Sequence, residues 1–206
     1  MSDPTEPRDA AEPRDPAQPR DAAGVLAARH DAGVAAWSEL ARAAAQESLR
    51  GQVLAAGEAV VAAVTSGRTL LVAGNGGSAA IASHVAAEML GRCVQDRAPL
   101  PAVSLAESTS SVTAIANDYG FEQVLARGVR AHGRTGDVLL AMSTSGASPN
   151  VLAALQVARE RGLVTVLMTG ARGAGLGELA DHLLVVPSEE TPRIQELHML
   201  WAHAWC

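Results

Sequence analysis

The sequence predicts an α/β fold in which a parallel sheet is covered by helices on both faces. Five short apolar runs, Thr69 to Ala73, Pro101 to Leu105, Asp137 to Met142, Val164 to Met168 and Leu183 to Val186, are separated by stretches of helical length. The runs are apolar throughout rather than at every second residue, which is how strands buried on both faces read. Two glycine- and serine-rich loops follow the first and third runs, at strand carboxyl ends, where parallel α/β sheets bind their ligands. With 206 residues, 48 % of them hydrophobic, the chain is long enough for one domain with a substantial core, and its 2 % aromatic content leaves that core to Ala, Val and Leu.

In chain order, residues 1 to 23 repeat a short unit (EPRDA, EPRDP, QPRDA) rich in Pro and charge. Such a segment buries too little apolar surface to offset its ordering entropy, so a disordered tail is expected ahead of a single domain over residues 24 to 206. Val25, Leu26, Val34, Trp37, Leu40 and Leu49 recur at helical spacing, and Gly51 is expected to break that helix before a second one runs through Val64. The pair reads as an N-terminal helical hairpin. Beyond the first strand, Gly74-Asn75-Gly76-Gly77-Ser78 turns into a helix carrying His84 and Glu88. Helices are predicted over Ser111 to Ala116, Glu122 to His132, Pro149 to about Arg161 and Pro192 to Cys206, with the two prolines at or near the first helical position.

Charge and residue usage exclude several classes of function. A net charge of −6 without a basic cluster gives no footprint for nucleic acid or an anionic membrane. All sixteen basic residues are Arg, so chemistry that needs a lysine amine, such as Schiff-base catalysis, pyridoxal phosphate attachment or a Walker A loop, is ruled out. Cys93 and Cys206 have neither CxxC nor zinc-module spacing. No signal peptide or membrane-length apolar run is seen, and a cytoplasmic location is expected.

The two loops point to an anion. Glycines at 74, 76 and 77 let backbone N–H groups approach a ligand at a helix N-terminus, where the dipole favours negative charge. The second loop, Ser143-Thr144-Ser145-Gly146-Ala147-Ser148, sets four hydroxyls at the start of another helix, a dense set of neutral donors for phosphoryl oxygens; simple helix capping would need one. Gly74-x-Gly76-x-x-Ala79 also fits a relaxed dinucleotide fingerprint with Glu107 as the ribose acid, but that reading leaves the Ser/Thr loop and the His/Glu pair unexplained. His84 and Glu88 lie four residues apart, on one face of a helix, able to meet one metal ion or substrate. In the last helix Gln195 and His203 fall about 80° apart on the helical wheel and border one cleft, whereas His198 reads as structural.

The runs AGNGGSAA, SHVAAEMLGR, VTAIANDYGFE, DVLLAMSTSGASPNVL, VTVLMTG and TPRIQELHMLWAH, in this order and spacing, closely resemble the phosphoheptose isomerases of the sugar-isomerase (SIS) domain superfamily over residues 24 to 206. The resemblance implies a flavodoxin-like three-layer sandwich, a homotetramer with sites at subunit interfaces, and conversion of sedoheptulose 7-phosphate to D-glycero-D-manno-heptose 7-phosphate, commonly with one Zn²⁺ per subunit. It assigns His84, Glu88, Gln195 and His203 to the metal, with Glu88 and His203 as the catalytic acid and base. It also gives Gly76, Gly77, Ser78, Ser143, Thr144, Ser145 and Ser148 to the phosphate, and Asn75, Arg92, Asp118 and Gln195 to the sugar. Ala147 stands where the family often has Asn, and the final helix, usually longer, stops three residues after His203. A non-catalytic SIS-domain regulator is the alternative; by resemblance it lacks the acid of the HxxxE pair and the final His, both kept here as Glu88 and His203.

Overall fold

The computed structural model describes residues 21 to 206; the expectation of a disordered tail falls almost wholly outside them. By internal contact the chain divides into a unit ending at Ala35 and a second unit, Ala36–Cys206, which holds the sheet and the site. Helices α1 (Ala22–Ala44) and α2 (Glu47–Thr65) precede the first strand. Gly51, expected to end the first helix, lies inside α2, and the break falls earlier, at Ala45 and Gln46. Gly51 is exposed with open space around it, and one exposed helical Gly costs only about 1 kcal/mol, too little to stop a helix held by packing on its other face.

Five strands, β1 (Leu70–Ala73), β2 (Ala102–Ser104), β3 (Val138–Ser143), β4 (Val164–Gly170) and β5 (His182–Val186), form one parallel sheet in the order β2-β1-β3-β4-β5. Between them run α3 (Gly77–Leu90), α4 (Thr109–Tyr119), α5 (Gln123–His132) and α6 (Pro149–Glu160), and α7 (Thr191–Trp205) closes the chain. Two 3₁₀ turns, Ala171–Gly173 and Gly177–Leu179, fill the connection from β4 to β5 and have no counterpart in the expected elements.

Alternation along the strands divides the interior into two cores. Leu70, Val72, Val138, Leu140, Met142, Val166 and Met168 pack with α2, α3 and α7 on one face. Leu71, Ala73, Leu139, Ala141 and Leu167 pack with α5 and α6 on the other. The result is the three-layer sandwich expected, every central strand buried on both sides, and the strand order is the flavodoxin-like one. On the first face, Gly57 of α2 lets Trp205 of α7 close in, since a Cβ there would lie 2.5 Å from the indole nitrogen. Among the described residues no helix is long and apolar enough to cross a membrane.

Candidate active site

The chain leaves β1 and β3, adjacent strands, in opposite directions along the sheet, to β2 and to β4, so a crevice opens at their carboxyl ends. Both glycine/serine loops start there. In the first, Gly76 has φ +53°, a conformation that favours glycine, and at Gly74 a Cβ would fall 2.7 Å from that of Ser78. In the second, Gly146 has φ +71° and a Cβ there would lie 2.7 Å from Gly173. Asn75 and Asn150 bind the loops to each other: each amide donates to the other's Oδ1, at 2.8 and 2.7 Å. Asn150, almost fully buried, also accepts from the Val151 N–H.

Ser148 occupies the N-cap of α6 but its hydroxyl does not cap the helix; it meets the Ser143 hydroxyl at 2.9 Å. Ser78 and Ser143 are buried beneath the crevice, Thr144 and Ser148 half-buried, and Ser145 exposed with its Oγ accepting from the Ala147 N–H at 3.1 Å. The hydroxyl cluster predicted from the sequence is thus gathered at one place, beside the N-terminal turns of α3 and α6.

The predicted metal and proton-transfer residues also come together, three of them closely. His84 Nε2 lies 3.0 Å from His203 Nε2, with the rings edge to face at 78°, and 3.6 Å from Glu88 Oε1. One imidazole therefore donates an Nε2 proton that the other accepts. Glu88 Oε2 is buried with no hydrogen-bond partner. Gln195 sits apart from this triad, its carboxamide pressed on Gly77, where a Cβ would come within 2.6 Å of it. Arg92 is exposed one turn past Glu88, and Asp118, exposed on α4, accepts from the Asn117 amide at 2.8 Å.

Glu88 Oε1 and the two imidazole nitrogens form a donor set suited to zinc, and the other oxygen of the same carboxylate is buried without a partner. Two ligands of one tetrahedral zinc stand ~3.3 Å apart when each metal–nitrogen bond is about 2.0–2.1 Å, close to the His84–His203 separation. Among the described residues no three His, Cys, Asp or Glu form a complete ligand set as they stand. The imidazoles would need to part slightly and Gln195 to turn inward.

Asn150 and Arg97 do not stand out in the sequence. Arg97 lies beyond α3 in the segment that folds back over its end, and donates to main-chain oxygens of Glu88, at 3.0 Å, and of Cys206, at 3.4 Å; Arg92 is the cation nearest the helix end, so no local signal singles out Arg97. The Cys206 thiol is pushed up to about 11, chiefly by burial, then by Cys93 and Glu88, with Arg97 acting the other way. His198, fully buried on α7, is held down to about 4 by burial, against the weaker opposing effect of the Thr169 carbonyl at 3.5 Å, so it is neutral and structural.

Residues 35 to 170 match the SIS domain family. The chain is 53 % identical over 167 residues to a phosphoheptose isomerase of Bradyrhizobium sp. strain BTAi1, spanning 81 % of this chain and 84 % of that protein. It is 46 % identical over 171 residues to one from Campylobacter jejuni, 82 % of this chain and 92 % of that one. Among solved structures it is similar to a phosphoheptose isomerase from Neisseria gonorrhoeae (TM-score 0.78, 40 % identity, 89 % of this chain and 96 % of that one) and to one from Francisella tularensis (TM-score 0.80, 33 % identity, 91 % and 97 %). A hydroxyl-lined crevice next to a His/Glu/His cluster, in a chain with these relatives, places the protein in the phosphoheptose isomerase family of SIS-domain enzymes.

Proposed function

We propose that the protein interconverts sedoheptulose 7-phosphate and D-glycero-D-manno-heptose 7-phosphate through an enediolate, in the cytoplasm, as a homotetramer with sites at subunit interfaces and one Zn²⁺ per subunit. The observation that carries this is the meeting of His84, Glu88 and His203 along the helix whose first turn borders the hydroxyl loops. Ser78, Ser143, Thr144, Ser145 and Ser148, with the N–H groups of Gly76 and Gly77, hold the phosphate by hydrogen bonds and helix dipole, without lysine. Asn75, Arg92 and Asp118 line the path of the sugar chain.

The reaction moves a carbonyl from C2 to C1. A base removes a proton from C1, leaving a 1,2-enediolate; an acid returns a proton to C2, and the hydroxyl proton passes from O1 to O2. Glu88 and His203 are the carboxylate and imidazole available for these transfers. His84, Glu88, Gln195 and His203 would hold zinc, which when bound supplies Lewis-acid polarisation of the substrate oxygens. As Glu88 serves as both ligand and proton-transfer group in this scheme, Glu88→Gln, which keeps shape and removes the charge, is the direct test. Formation of heptose phosphate, measured by a coupled assay with and without a chelator, is expected to fall ~10²-fold or more, the range of a general acid/base group. Near-normal turnover in that variant would refute the role.

A further inference from the structure

Helices α3 and α7 lie side by side and run in the same direction. Gly77, at the start of α3, meets Gln195 near the start of α7; His84 meets His203 further along; and main-chain oxygens of Glu88 and Cys206, at the far ends, share one guanidinium. Parallel neighbours bring two negative dipole ends together, each with last-turn carbonyls that lack partners within the helix. This unfavourable pairing falls beside the side chains that carry the chemistry.

We infer that Arg97 is a positioning residue that clamps the C-terminal ends of α3 and α7 and thereby sets the His84, Glu88 and His203 spacing. Its Nη1 donates to the Met89 oxygen at 2.8 Å and to Ala98 at 3.2 Å; its Nη2 donates to Glu88 at 3.0 Å and to Cys206 at 3.4 Å. The segment carrying Arg97 folds back over the end of α3, with the Leu100 N–H donating to the same Met89 oxygen at 2.9 Å. One delocalised cation thus offsets both dipole ends and joins them through a planar fork. A lysine ammonium, a point charge on a flexible stem, does not reproduce that geometry. The clamp lies at the opposite end of α3 from the hydroxyl loops, so it acts on the metal end and leaves the phosphate end alone.

The inference rests on the proposed metal and proton-transfer site, and the test separates the two. Zinc affinity of the full chain, by competition with a chromophoric chelator, is compared with inorganic phosphate affinity by calorimetry, in wild type, Arg97→Ala and Arg97→Lys. Zinc binding is expected to weaken ~10- to 100-fold in Arg97→Ala, as for residues that orient metal ligands. Most of that loss should persist in Arg97→Lys, with phosphate binding within about twofold of wild type, because the donors at the two ends are separate. Amide exchange should accelerate over residues 202 to 206 and stay unchanged over 194 to 198. Unchanged zinc affinity in a folded variant, zinc and phosphate affinity falling together, or unaltered exchange in the last turn of α7 would overturn the clamp. If wild type binds no zinc, the metal assignment fails by itself and the exchange measurement decides the clamp. If Arg97→Ala does not fold, Arg97→Lys carries the same comparison.

Discussion

Asn75 and Asn150 exchange two hydrogen bonds across the crevice, and in doing so they hold two loops from different strands at a fixed distance. The pairing needs a donor and an acceptor on each side, which only an amide supplies. Asn150→Asp therefore keeps the size of the side chain but turns an acceptor toward the Asn75 carbonyl, leaving a buried group unsatisfied. A loss of about 1–3 kcal/mol is expected, seen as a fall of several degrees in thermal melting, together with weaker phosphate binding; a variant that melts and binds phosphate like wild type would exclude the bridging role. The hydroxyl donors were readable because four of them crowd one short loop. Asn150 was not, since an Asn just inside a helix start reads as an ordinary first-turn residue and its partner is 75 positions away. Asn75, assigned by resemblance to the sugar, spends an amide hydrogen and its carbonyl on Asn150, which leaves its remaining N–H for the ligand.

At the scale of elements, the apolar runs located all five strands to within two residues at each end, because a strand buried on both faces has an unbroken hydrophobic signature. The break between the first two helices was misplaced, since Gly marks a preference and packing decides. In α7 the period identified His198 as structural, and its burial has a consequence for acid stability. Its folded value, about 4, lies below the unfolded 6.5, so between these limits the unfolded chain binds more protons and stability falls as pH falls. The contribution is fully present above pH 6.5, is lost progressively toward pH 4, and amounts to about 3 kcal/mol at most. Melting temperature measured over that window should drop in wild type, with a shallower slope in His198→Met; equal slopes would show that other groups set the acid limb.

For the whole molecule, the site joins residues from Asn75 to His203, and what unites them is strand order. Composition and period gave parallel strands and loops at their carboxyl ends, but which strands are neighbours depends on crossovers that no local pattern encodes. Placing β1 next to β3 is what turned two separate loops into one crevice. The molecule also leaves apolar surface outside its cores: Leu54 and Val61 on α2, with Gly57 and Trp205, line a groove of about 400 Å³ between α2 and α7, and Leu200 of α7 is exposed. In the proposed tetramer such a groove is a place for a neighbouring subunit to pack. Light scattering after size exclusion is expected to give four times the mass of one chain, and a monomer at micromolar concentration would remove the tetramer from the proposal.

The side-by-side course of α3 and α7 makes the distance between the glycine-rich loop and the imidazole a matter of helical pitch. Seven residues from Gly77 to His84 amount to about 10 Å of rise, a ruler fixed by backbone hydrogen bonds rather than by loop length. One residue inserted or deleted between Ser78 and His84 would turn the imidazole about 100° away from α7 while leaving the glycine-rich loop intact. That count cannot change by one residue without moving the imidazole off the face of α3 that meets α7.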